Sequence, residues 1–180
     1  MKKILFCIFV ILFSSTLQAE RVRTLRCSED KAVGIVKLIN YIDLNWEEVE
    51  ELWKNEGALA KPKCLKRRFE RNGVVMCHDR QRVAPERYRC DGKNGWAGPG
   101  GIRANICSGF TEVVDNMEFH NKRACYTALL FKLFGDNCYK RSRFPGRYMD
   151  LRDFGFKWYK ERNPVTIDFR ECNFKLKSLF

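Results

Sequence analysis

The chain has 180 residues, with 34 Lys and Arg against 22 Asp and Glu for a formal charge of +12, and nine cysteines. That length holds one domain with a real core and excludes two comfortable ones. The charge excess favours contact with anionic polymers, phospholipid surfaces or nucleic acid, although a solvated basic face serves solubility equally well.

The opening MKKILFCIFVILFSSTLQA sets Lys2 and Lys3 before an apolar run from Ile4 to Phe13. This is the pattern of a secretory signal over 1–19, and its apolar run is shorter than the roughly 20 residues a membrane-spanning helix needs. The mature chain then starts near Glu20, periplasmic or secreted, with no transmembrane segment left. It keeps 32 basic against 22 acidic side chains. Cys7 leaves with the leader, and eight cysteines stay: Cys27, Cys64, Cys77, Cys90, Cys107, Cys125, Cys138 and Cys172. An even count in an exported chain implies up to four disulfides, whose pairing the sequence leaves open. No CxxC pair occurs, which argues against a structural zinc site. No repeat, low-complexity tract or Pro/Gly/Ser linker divides residues 20–180, so a single disulfide-stapled domain is expected.

From Ser28, a fair N-cap, SEDKAVGIVKLINYI places Ala32, Ile35, Val36, Ile39 and Ile42 on one helical face. A second helix follows, with Asn45 and Glu48 as a capping box, Trp46, Val49, Leu52 and Trp53 at helical spacing, and Gly57 as its stop. After Pro62, Asn72-Gly73 separates CLKRRFE from VVMCH and predicts a hairpin. DGKNGWAGPGG over 91–101 reads as loop. IRANIC alternates Ile102, Ala104 and Ile106 inward with Arg103 and Asn105 outward, the pattern of a half-buried strand. Residues 121–134 form a third helix on which Cys125, Leu129 and Leu133 stack. Beyond it, VTIDFREC and FKLKSLF could close as strands. The expected class is α+β, several helices packed with a small sheet and tied by disulfides.

Charge is uneven along the chain. Residues 61–93 carry eleven basic against four acidic side chains, whereas 20–60 carry six against nine. Within the basic stretch Lys66, Arg67, Arg68, Arg71, Arg80, Arg82, Arg87 and Arg89, interleaved with aromatics, are candidate binding residues for phosphates or planar groups. His78 and His120 could serve as base and acid of a small secreted hydrolase or ribonuclease, with the basic surface steering RNA. Cys77-His78-Asp79 has only a faint likeness to the His-Asp pair of secreted phospholipases, because the glycine-rich Gly98-Pro99-Gly100-Gly101 follows it instead of preceding it. No G-x-S-x-G, P-loop or Rossmann fingerprint is present.

Cys27 opens the helical pair, Ala97-Gly98-Pro99 and Ile106-Cys107-Ser108-Gly109-Phe110 lead to ALLFKLFG, and Gly146-Arg147-Tyr148-Met149-Asp150 comes before Phe154-Gly155. This order resembles the deuterolysin-like metalloendopeptidases, the aspzincin family, in which a helix carries H-E-x-x-H and a later G-T-x-x-D-x-x-Y-G segment delivers an Asp ligand. The resemblance would put Phe131 and Gly135 where both His ligands belong, Lys132 in place of the general base, and Asp150 as the remaining third ligand. Phenyl and glycine offer no lone pair, an ammonium repels a dication, and one carboxylate does not hold catalytic zinc. The resemblance therefore implies the fold without the activity: no metal, no cofactor, and a binding module for peptide, protein or an anionic envelope polymer.

Overall fold

The computed structural model describes residues 22–57, 61–70, 73–78, 90, 95–98, 102–136, 138, 149–172 and 174. The expected 1–19 leader, Arg71, Arg80, Arg82, Arg87 and Arg89, and Gly146 to Tyr148 lie outside them. Strand β1 (Val22–Leu25) leads into helices α1 (Glu29–Leu44), α2 (Trp46–Glu56) and α3 (Pro62–Glu70). Strands β2 (Gly73–His78), β3 (Gly95–Ala97) and β4 (Arg103–Cys107) follow, then helices α4 (Ser108–Val114), α5 (Phe119–Gly135) and α6 (Leu151–Lys160), and a 3-10 turn at Phe169–Cys172. The sheet order is β1-β2-β4-β3. β1, β2 and β4 run parallel, and β3 is antiparallel to β4. The chain is an α+β, disulfide-rich fold, as its sequence implies.

Every residue from Ala124 to Phe131 is buried, so the middle of α5 is covered on all sides. A helix apolar all round belongs in a core, and α5 packs on α6, on α1 and α3, and on β3 and β4. Aromatic rings fill the space around it. Phe131 lies 5.2 Å from Phe69, 5.8 Å from Phe154 and 6.2 Å from Trp158 between ring centroids. Four disulfides close this body: Cys27–Cys77, Cys64–Cys138, Cys90–Cys107 and Cys125–Cys172. No helix among the described residues is long and apolar enough to cross a membrane.

Several local expectations give way to tertiary structure. The hairpin at Asn72-Gly73 does not form: Pro62–Glu70 is helix, and β2 takes both its neighbours in parallel. Leu65 and Phe69, four apart and both buried, supply the helical period that outweighs the turn signal. The 91–101 stretch contributes β3 at its centre, with 91–94 and 99–101 outside the described residues. In β4, Ala104 and Ile106 are buried as expected, but Ile102 precedes the strand half-exposed, and Asn105 is buried because β4 has helices and strands around it. Asn45 caps α2 by position only, since its amide donates back to the Tyr41 carbonyl at 2.7 Å. VTIDFREC ends in a 3-10 turn, not a strand, and most of FKLKSLF lies outside the described residues. Helix α6 is an element the sequence reading lacks, although Leu151, Phe154 and Trp158 mark its buried face.

Candidate functional site

Helix α5 and the start of α6 bring Lys132, Gly135 and Asp150 to one corner of the molecule. Phe131 is fully buried among Phe69, Phe154 and Trp158, so its ring is core and points at no solvent cleft. A Cβ added to Gly135 would sit 2.2 Å from Leu151 Cδ1, and one added to Gly155 would sit 2.9 Å from Phe131 Cγ. The two glycines thus let α5 and α6 approach closely. Lys132 pairs with Asp136 at 2.9 Å. Asp150 is the N-cap of α6: its carboxylate accepts from the Arg152 backbone N–H at 2.9 Å and from Arg152 Nε at 3.0 Å.

Burial pushes Asp136 above the usual carboxylate range against the pull of Lys132, with Asp150 adding to the rise. Burial also acts to raise Asp150, but the Arg152 hydrogen bonds and the Arg152 and Lys132 charges outweigh it, and its pKa is lowered. A lowered pKa means stability that is present above the ordinary carboxylate value and lost as pH falls through the folded one. The carboxylate at 150 is therefore spent on a helix cap. Asp150→Ala is expected to cost about 0.5–2 kcal/mol at neutral pH, and Asp150→Asn much less, because Asn caps as well as Asp does. Denaturant melts of the two variants check this, and equal losses would point to a role other than capping. Among the described residues, no group of three or more His, Cys, Asp or Glu could hold a metal ion.

The two histidines take separate partners. His78 Nε2 donates to Asn105 Oδ1 at 3.0 Å across β2 and β4, and His120 Nδ1 lies 3.3 Å from the Tyr159 hydroxyl on α6. Of the basic run, Lys66, Arg67 and Arg68 stand on α3. Arg67 is exposed, Lys66 reaches Glu70 at 3.6 Å, and Arg68 is half-buried with its Nε lacking a partner among the described residues.

A cleft of about 390 Å³ opens elsewhere, between α1 and the first turns of α5. Ile35, Leu38 and Tyr126 form its apolar wall. Gly34 lies on its lining, and a Cβ there would meet nothing within 4 Å. Its charged lining is Asp30, Lys31, Lys37, Asp115, Lys122 and Arg123. Asp115 is neutralised, paired with Lys31 at 3.0 Å and accepting from the Tyr126 hydroxyl at 2.8 Å. The Arg123 guanidinium lies over Phe119, Tyr41 and Tyr159, with its carbon 5.1, 5.2 and 5.9 Å from the ring centroids. Burial pushes the Tyr159 phenol up to about 12, although Arg123 acts to lower it, so the ring stays neutral beside the cation at physiological pH. Sequence reasoning missed this site because α1 and α5 are far apart in the chain. The one local sign was Gly34, a glycine inside a helical pattern. No family model, curated protein or solved structure matches the chain.

Proposed function

We propose that the chain is an exported binding protein, not a hydrolase, built on a metallopeptidase-like scaffold whose catalytic positions now serve packing and capping. Its ligand enters the α1/α5 cleft. The observation that carries this reading is the cleft itself: about 390 Å³, apolar on one wall, lined by charged side chains and with Gly34 on its lining. That volume falls in the range of small-molecule sites, roughly 300–1,000 Å³. The convergence of Lys132, Gly135 and Asp150 on one corner supports the kinship, and the four disulfides support an oxidising compartment. The hydrolase alternative draws no support from the contacts of His78 and His120, whose rings bond to Asn105 and Tyr159.

Gly34→Leu tests the reading cleanly. Leucine improves helix propensity by about 0.8 kcal/mol and its Cβ would meet nothing within 4 Å, so the variant is expected to keep the parent's fold, which near-ultraviolet dichroism checks. Its side chain narrows the cleft. Neutral N-phenylnaphthylamine is expected to bind the parent saturably with enhanced fluorescence, and the Gly34→Leu protein at least about ten-fold more weakly. Equal binding by both would remove the cleft from consideration. A hydrolytic activity abolished by joint replacement of His78 and His120 would overturn the binding-protein reading.

A further inference from the structure

Among the described residues, three of the cations lining the cleft, Lys37, Lys122 and Arg123, have no carboxylate within ion-pair distance, whereas Lys31 is committed to Asp115. Arg123 is the unusual one. Its Nε is buried and has no hydrogen-bond partner among the described residues. A guanidinium carries five N–H donors, and an unmet buried donor costs about 1–3 kcal/mol. Three aromatic rings hold the group in place and take away part of its water, yet no carboxylate among the described residues answers its charge. A rigid, partly dehydrated guanidinium fork suits bidentate capture of a planar or tetrahedral oxyanion. Next to it Phe119 is 62 % exposed, an apolar surface at the rim that Arg123 and the edge-on His120 ring cover only in part. The acids do not cancel this field: Asp115 is paired with Lys31, and Asp30 stands alone against Lys37, Lys122 and Arg123.

We propose that the cleft binds an amphiphilic oxyanion, a carboxylate or phosphate joined to an apolar or aromatic body, with Arg123 gripping the oxyanion and Phe119 receiving the body. This rests on the reading of the cleft as the ligand site and adds the chemical class of what enters it. Carboxylate and phosphate share the recognition chemistry, and the experiment separates them.

The full mature chain is titrated with phenylacetate, phenyl phosphate and neutral phenylacetamide, each read by calorimetry and by displacement of the naphthyl probe. At least one oxyanion is expected to bind about ten-fold or more tightly than phenylacetamide, and the better of the two identifies the head group. In Arg123→Gln that advantage disappears while phenylacetamide binding is kept. In Gly34→Leu all three ligands weaken together. Phenylacetamide binding as tightly as both oxyanions, or an advantage that persists in Arg123→Gln, overturns the proposal and leaves the cleft standing. Binding indifferent to Gly34→Leu overturns the cleft reading itself, and no binding of any probe overturns both. If near-ultraviolet dichroism shows Arg123→Gln to be unfolded, Lys37→Gln/Lys122→Gln carries the test. It is expected to weaken the oxyanions about three- to ten-fold and to spare phenylacetamide, and unchanged affinities there overturn the proposal.

Discussion

A chain carrying Phe131→His, Lys132→Glu and Gly135→His is expected to unfold before it can hold zinc. Phe131 is fully buried with Phe69, Phe154 and Trp158 around it. Emptying such a site to Ala costs about 3–5 kcal/mol, and imidazole fills part of the volume only by burying ring nitrogens with no partner there. At Gly135 even a Cβ would lie 2.2 Å from Leu151 Cδ1, so α5 and α6 must separate to admit any side chain. Overpacking of that kind costs about 1–3 kcal/mol for small groups, and His is not small. Glu at 132 would face Asp136, which Lys132 now pairs with at 2.9 Å, and would add a like charge near Asp150. The three changes touch one contact region and will not add simply. Even so, together they approach the whole stability of a domain, about 5–15 kcal/mol. Urea melts of the single and triple variants, followed by zinc analysis of whatever folds, check this. Lys132→Glu alone should be mild and Gly135→Ala distinctly worse. A folded triple variant with one zinc per chain would show that the helix can hold the geometry of a metal site.

What could be read in the sequence was local and repetitive. α5 is legible because Cys125, Leu129 and Leu133 stack at four-residue spacing, and α2 because Trp46, Val49, Leu52 and Trp53 repeat at helical spacing; all seven are buried. The presence of disulfides followed from an even cysteine count, but eight cysteines allow 105 pairings, and only the fold selects one. The errors share a cause. Parallel pairing of β1, β2 and β4 is made between distant segments, so no turn announces it, and β1 and β3 are only four and three residues long. Asn72-Gly73 therefore reads as a hairpin turn, whereas the Leu65 and Phe69 spacing that builds α3 is a single pair and a weaker local signal. The cleft was illegible for the same reason. Lys37 and Gly34 on α1 face Lys122 and Arg123 on α5, and neither segment alone shows more than an amphipathic helix and a core helix. His78 and His120 looked like a pair only because the chain has two histidines, and their partners lie on different elements.

Reduction of all four disulfides is expected to leave the chain unfolded at room temperature, and removing them one at a time should rank by loop length. A cross-link confines the unfolded chain more as the loop it closes grows. Cys64–Cys138 spans 74 residues and Cys90–Cys107 spans 17. The chain-entropy relation gives about 4.4 kcal/mol for the first and about 3.1 kcal/mol for the second. Cys27–Cys77 and Cys125–Cys172, with separations of 50 and 47, fall between at about 4 kcal/mol each. Paired Cys→Ala variants are the fair comparison, because Cys125, Cys172 and Cys138 are buried and serine would bring an unmet hydroxyl with it. Native contacts add to the first bond: the Lys61 N–H donates to the Cys138 carbonyl at 3.1 Å, so the same tether joins α3 to the end of α5. Each contribution is a large share of the net stability of an ordinary domain, about 5–15 kcal/mol, so loss of all four, even where their overlapping loops do not add fully, should leave the reduced chain unfolded. Denaturant midpoints of the four paired variants, with the slope of each transition as a measure of denatured-state expansion, test the ranking. A Cys90/Cys107 variant less stable than the Cys64/Cys138 one would mean that native packing, not chain entropy, sets the order. A reduced chain that kept its near-ultraviolet dichroism would remove the physical reason for placing this protein in an oxidising compartment.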